Sequence, residues 1–322
     1  MRSAFSDALV AACQRDPRVV LLTGDHGYAL FDPLRSACPD RYLNAGIAEQ
    51  NMVGVAAGMA KAGLRPIVYG LSAFMPVRTL EQIKIDVCYE NLPVLFIGDG
   101  AGVVYSSLGT SHQSTEDISA LRAVPNITIL SPADGPEMQA CMDLALNADS
   151  PVYLRMGKAD LGTVHAAPPA MQAGSLLPLR KGRGPLSWIA TGSMVHTALR
   201  AAEQWPDSPV WSAPCIKPLD VDTVVSICGK SQAVIVLEEH SVYGGLGSAV
   251  VEISTEHVPT RVLRIGIQDR FSQFCGSYDY LMAEHQLTAA DVVGKVTAYL
   301  AKLDSDARRP IALPQSHYRP AA

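Results

Sequence analysis

RVVLLTGD (residues 18–25), AEQNMVGVAAGMAKAG (48–63), RPIVYG (65–70), VRTLEQIKIDVCYEN (77–91) and LPVLFIGDG (92–100) follow one another early in the chain. The first, third and fifth are short apolar runs, whereas the second and fourth have the length and spacing of amphipathic helices. Such alternation of strand and helix implies a parallel sheet wrapped by helices. The pattern continues with NITILSP as a strand from Asn126, DGPEMQACMDLALNA as a helix whose N-cap is Asp134, and PVYLRMG as a strand from Pro151. An α/β domain with a doubly wound parallel sheet is therefore expected over residues 1–160.

Residues 161–185 are rich in Ala, Pro and Gly, have neither period, and read as a linker with room for a short strand. From LSWIATGS at Leu186 the alternation resumes, through QAVIVLEEH and on to TAADVVGKVTAYLAKL, so residues 186–303 form a second, smaller α/β domain. The polar, Pro-containing stretch 304–322 reads as a disordered or partner-bound tail.

Composition narrows the function classes. With 322 residues, 48% hydrophobic and 18% charged, each domain can bury its own core without a disulfide or metal. A net charge of -5 with no cluster of Lys and Arg argues against nucleic-acid binding. Seven cysteines without a C-x-x-C pair read as reduced thiols, which favours the cytoplasm. No stretch approaches the roughly 20 apolar residues of a membrane span, and the N-terminus lacks the apolar core of an export signal.

Chemistry concentrates in a few places. Glu49 in NAGIAEQNM (44–52) stands at the start of an apolar, small-residue helix, where spacing alone also fits a carboxylate favoured by the helix dipole. Asp25 and His26 end a strand at the carboxyl edge, where parallel sheets bind ligands, although an Asp-His-Gly turn is the plainer reading.

GIAEQNM resembles the pyrimidine-binding motif of transketolases and 1-deoxyxylulose-5-phosphate synthases, and the likeness runs in order through SAF ending at Phe74, LEQIKID, NLPV from Asn91, SHQ around His112, PNITILSPAD and PVYLR ending at Arg155. PCIKPLD and VLEEH in the second half resemble the family's C-terminal domain. The resemblance implies a pyrimidine-binding domain followed by the transketolase C-terminal domain, with thiamine diphosphate as cofactor. In enzymes of this type a buried carboxyl group, here Glu49, hydrogen-bonds N1′ of the cofactor's aminopyrimidine, and an apolar pocket raises its pKa so that a proton can be shared. By the same resemblance Phe74 stacks on the pyrimidine, Asp25 lies near the thiazolium, His112 and His26 contact the sugar, and Arg155 grips a sugar phosphate. Arg78 falls close to Phe74 without an assigned role.

Two departures matter. The loop GDGAGVVYSSLGTSH (98–112) lacks the basic residue and the Asp-Gly-Pro-Thr-His run of the relatives, so a non-phosphorylated or modified sugar is in view. Gly98-Asp99-Gly100 with Asn126 imitates the diphosphate and magnesium motif of thiamine enzymes, but its context is wrong and no metal ligand is expected in this chain. Single-chain relatives carry a further domain that holds the diphosphate through Mg2+. The resemblance thus implies a partner subunit that supplies that domain, a two-plus-two heterotetramer, and two-carbon ketol transfer from a ketose to an aldehyde. The beta subunit of a 2-oxo-acid or acetoin dehydrogenase and a non-catalytic pseudo-subunit are the competing readings; SHQ and SPAD weigh against the first, and the intact Glu49, Phe74 and His112 against the second.

Overall fold

Every apolar run quoted from the amino-terminal half becomes a strand of one sheet in the computed structural model, which describes residues 1–158 and 160–307. Helix α1 (Arg2–Arg15) precedes β1 (Val19–Thr23), α2 (Asp32–Ala37), β2 (Tyr42–Asn44), α3 (Glu49–Lys61) and β3 (Arg65–Leu71). Two short helices, α4 (Met75–Arg78) and α5 (Leu80–Gln82), lead to β4 (Leu95–Asp99), and α6 (Asp117–Arg122), β5 (Thr128–Leu130), α7 (Gly135–Leu146) and β6 (Val152–Met156) complete the domain. The strands from β1 to β6 pair in parallel in the order β5-β6-β4-β3-β1-β2. Because the chain leaves β1 first toward β2 and then returns on its other side with β3, the order reverses at β1, and a crevice opens beyond the carboxyl ends of these strands.

The strands are buried along their length because helices cover both faces, which is why they read as unbroken apolar runs rather than alternating ones. On one face Phe5 and Leu9 of α1 meet Ile67, Leu95, Met138 and Cys141. On the other, Met52 and Ala56 of α3 meet Val68, Phe96 and Ile118, and the same cluster runs on into Val236 and Leu246 of the second domain. The two domains therefore share a core, in which each fully buried Val, Leu, Ile, Phe or Met side chain contributes roughly 1.5–3 kcal/mol.

The second domain contains β7 (Leu177–Arg180), β8 (Leu186–Ala190), α8 (Met194–Ala201), β9 (Val210–Ser212), β10 (Cys215–Lys217), α9 (Val221–Lys230), β11 (Ala233–Ser241), α10 (Leu246–His257), β12 (Arg261–Ile267), α11 (Tyr278–Glu284) and α12 (Ala289–Ala307). Its sheet has the order β12-β11-β8-β9-β7, with β7 from the linker antiparallel at the edge. Strand β10 leaves this sheet and pairs antiparallel with β5, so the amino-terminal sheet has seven strands. Asp134 caps α7 as expected, accepting from the Glu137 N–H at 2.8 Å, and its other oxygen accepts from the N–H groups of Val164 and His165 in the linker.

Two expectations need correction. The helix expected over 77–91 is broken: α4 and α5 are single turns, and Ile83–Cys88 is π-helical, a widened turn that recurs beside functional sites. The last helix continues to Ala307, past the expected boundary at 303, and the rest of the expected tail lies outside the described residues. Among the described residues no helix is long and apolar enough to cross a membrane.

The domains are joined by buried polar groups. Arg155, at the end of β6 and 3% exposed, donates from Nε to Asp117 at 2.7 Å and from Nη2 to the carbonyls of Ser114 and Glu239. Asp117 also accepts from the Tyr153 hydroxyl at 2.8 Å. Glu239 accepts from the Val103 N–H and the hydroxyls of Ser193 and Tyr278, and burial raises its pKa. His240 donates from Nδ1 to the Ser241 carbonyl and accepts at Nε2 from the Ser119 N–H, the arrangement of a neutral imidazole; burial lowers its pKa to about 4. Glu238 accepts from the Leu246 and Gly247 N–H groups at the start of α10, yet burial still raises it to about 7.

Removing one member of a buried ion pair leaves the other uncompensated, so Arg155→Met should cost about 3–5 kcal/mol in chemical denaturation, whereas a surface arginine would change stability by under about 0.5 kcal/mol. His240 is held below its unfolded pKa, so the unfolded chain takes up the proton first on acidification. Its stabilisation is present above about pH 6.5 and is lost as pH falls toward 4, by up to about 3 kcal/mol. Glu238 acts in the opposite sense, its contribution falling as pH rises from about 4.5 through 7. Melting temperatures measured from pH 7 to pH 4 should therefore drop less steeply in His240→Gln than in the wild type.

Candidate active site

Four loops at the carboxyl edge of the first sheet bring the site together. After β2, the Asn44 side chain accepts from the Gly46 N–H at 2.9 Å, and Gly46, at φ 72°, turns the chain into α3 so that Glu49 stands in its first turn. Glu49 is 5% exposed. After β1, the turn that carries Asp25 and His26 passes through Gly27, whose φ is 76° and where a Cβ would lie 2.2 Å from the Phe31 ring, so only glycine fits. After β3, Phe74 directly precedes α4, and after β4 a pair of 3-10 turns ends at His112.

The aromatic groups converge. The Phe74 ring lies 5.1 Å from the His112 ring in an edge-to-face contact and 6.4 Å from the His26 ring. His26 Nε2 is shielded from solvent and has no hydrogen-bond partner among the described residues. Glu49 is not in a purely apolar pocket, as the motif alone implied: Arg78 Nη1 donates to its Oε1 at 2.8 Å, and the Arg78 guanidinium sits 4.2 Å from the centre of the Phe74 ring. Sequence reasoning left Arg78 without a role. Its signal was the spacing of four residues from Phe74, which sets both side chains on one side of a helical turn.

Of the residues expected at the site, Glu49, Phe74, His112 and His26 are thus brought together. Asp25 lies on the same turn as His26 but is exposed. Arg155 is not with them. Expected to grip a sugar phosphate, it is 3% exposed, with Nε bonded to Asp117 and Nη2 to the carbonyls of Ser114 and Glu239. The Gly98-Asp99-Gly100 imitation of a metal motif is likewise occupied: Asp99 accepts from the hydroxyls of Tyr69 at 2.6 Å and Tyr105 at 2.9 Å, and the Asn126 amide donates to the Cys88 carbonyl. The loop expected to touch substrate leans on the second domain, where Ser272 donates to Gln113 Oε1 at 2.7 Å and bonds His285.

Within the cluster Glu49 is buried, Phe74, His26 and His112 are half-buried, and Arg78 is exposed. A cleft of about 1240 Å3 beside Trp211 and another of about 740 Å3 beside Met171 contain none of its residues. Tyr28 and Ile47, on the loops that carry His26 and Glu49, are 75% and 76% exposed.

A buried carboxylate, an aromatic ring and two imidazoles stand together at the strand-order reversal of a parallel sheet in a two-domain α/β chain, the place where such sheets bind ligands. Comparison with known proteins gives the family. Residues 1–163 match the family model described as the transketolase pyrimidine-binding domain, and residues 179–292 match the transketolase C-terminal domain. The chain is 34% identical to the 6-deoxy-6-sulfo-D-fructose transketolase subunit SqwH of Clostridium sp. (strain MSTE9), over 91% of this chain and 92% of that one. It is also 34% identical to an apulose-4-phosphate transketolase subunit of Actinobacillus succinogenes, over 82% of this chain and 86% of that one. A solved structure titled as a split-gene transketolase, inactive beta4 tetramer, superposes with a TM-score of 0.84 at 33% identity, covering 93% of this chain and 97% of that one. The chain belongs to the transketolase family. It is an enzyme subunit that carries the pyrimidine-binding and C-terminal domains, and thiamine diphosphate is the cofactor that goes with this family.

Because Asp99 serves one buried and one half-buried phenol, Asp99→Leu should lower stability by about 1.5–3 kcal/mol in chemical denaturation, the range for hydrogen bonds to a charged group.

Proposed function

We propose that this subunit holds the pyrimidine half of thiamine diphosphate at Glu49 and Phe74 and acts with a partner subunit that supplies the diphosphate-binding domain and Mg2+. The observation that carries the proposal is the convergence of Phe74, His26, His112 and, through Arg78, Glu49 at the carboxyl edge of the first sheet. The residues fit the group: a buried carboxylate can meet a ring nitrogen, an aromatic face can stack on a flat ring, and a shielded His26 Nε2 has an unused hydrogen-bonding position. When bound, thiamine diphosphate supplies the nucleophilic carbon that breaks and re-forms the carbon–carbon bond beside the ketose carbonyl.

In this reading Glu49 holds a proton at the pyrimidine N1′, Phe74 fixes the plane of the ring, and His112 and His26 hydrogen-bond the sugar hydroxyls and move protons at them. The reaction is transfer of a two-carbon ketol unit from a ketose to an aldehyde. Asp99 and Asn126 are committed inside the protein, which supports assigning Mg2+ and the diphosphate to the partner. The exposed Tyr28 and Ile47 support a partner surface over the site, and a two-plus-two heterotetramer is the assembly that pairs two such sites. Seven free cysteines support a reducing, cytoplasmic setting.

Calorimetric titration of thiamine diphosphate with Mg2+ tests the division of labour. Binding should require both subunits, and tight binding by this chain alone would sink the split-site reading. In the assembled enzyme, Glu49→Gln should keep the melting temperature within a few degrees while ketol transfer falls at least about a hundredfold, the lower range for loss of a positioned proton-transfer group.

A further inference from the structure

Glu49 Oε1 and the face of Phe74 are the two contacts on which the pyrimidine site rests, and a single side chain holds both. Arg78 Nη1 is 2.8 Å from Glu49 Oε1, and its guanidinium carbon is 4.2 Å from the Phe74 centroid. A guanidinium and an aminopyrimidine have in common what this pair of residues reads: a flat, delocalised N–C–N group with N–H donors along its edge and a face that stacks on an aromatic ring. We propose that Arg78 is a displaceable occupant of the pyrimidine site, which competes with the cofactor for Glu49 and Phe74 and must turn outward for the cofactor to bind. This rests on the assignment of Glu49 and Phe74 as the pyrimidine contacts.

The way Arg78 is held supports displacement rather than a fixed structural role. Its side chain is 44% exposed, against 6% for that of Glu49, so it can leave toward solvent without opening the core. One ion pair and one ring contact hold the guanidinium, whereas the backbone is tied separately, by the Gln50 side-chain amide that donates to the Arg78 carbonyl at 3.3 Å. Arg155 is the contrast: 3% exposed and bonded to three partners, it has nowhere to go. A buried carboxylate without a countercharge is costly, and a removable cation lets Glu49 stay paired until a ring nitrogen takes the place of the guanidinium. The device makes cofactor binding an exchange of partners at Glu49, and it weakens the observed affinity by the fraction of time that Arg78 leaves the site open.

The test compares wild type, Arg78→Ala and Arg78→Gln in the assembled two-subunit enzyme. Thiamine diphosphate with Mg2+ is titrated by calorimetry, and melting temperatures are recorded without cofactor and at saturation. Both variants should bind the cofactor about three- to tenfold more tightly, the gain from removing a competitor that fills the site about 70–90% of the time. Without cofactor they should melt below wild type, because Glu49 loses its cation, and at saturation they should melt with it. Weaker or unchanged binding overturns the proposal, as does an equal loss of melting temperature in both states, which would make Arg78 part of the permanent scaffold. If the wild-type assembly does not bind thiamine diphosphate, the assignment of the site itself fails, and the variants are not needed to see it.

Discussion

The buried guanidinium of Arg155 constrains everything around it. A cation with 3% exposure needs acceptors inside the protein, and here they come from three separate stretches: Asp117 on α6, the Ser114 carbonyl in the loop after His112, and the Glu239 carbonyl on β11. Satisfying one side chain therefore fixes the height of the His112 loop above the sheet and the seat of the second domain against the first. Glu239 extends the same arrangement, since its carboxylate gathers Val103, Ser193 and Tyr278 from both domains.

On this frame the site is placed by topology. The reversal of strand order at β1 leaves a crevice, and the loops after β1, β2, β3 and β4 each deliver one group to it. The chemistry required of these groups differs from that of the frame. The frame ties its charges to groups inside the protein, whereas the site keeps groups that can change partners: His26 with an unused ring nitrogen, and Phe74 and Glu49 with a shared partner, Arg78, that is itself half in solvent.

Much of this was legible in the sequence, for stated reasons. The strands read correctly because a sheet covered on both sides demands continuous apolar runs, and Asp134 read correctly because an N-cap is a local rule. Glu49, Phe74 and His112 were reachable through motif order, and the geometry brings them together. The ion pair of Arg155 with Asp117 was not legible, because a strand-end arginine looks alike whether it faces solvent or a buried carboxylate on α6, and a separation of 38 residues carries no local signal. The break in the helix over 77–91 was hidden for a related reason: its composition is helical, and no residue in it signals the widening of Ile83–Cys88 to a π turn. The departure of β10 from its own sheet was equally invisible, because pairing between strands far apart in the chain leaves no periodicity behind.

That last feature bears on how the molecule can be divided. Residues Cys215–Lys217 close the open edge of the first sheet by pairing with β5, well after the chain has begun its second domain. An uncovered edge strand is a template for joining another chain. A fragment ending near residue 160 would expose β5 along its length, and would face solvent with the apolar side chains that now meet Val236 and Leu246. The boundary between domains marks a change in architecture, not a place to cut: the ribosome must deliver the second domain before the first has a finished edge, and early collapse of the amino-terminal half carries a risk of self-association that ends only when β10 docks.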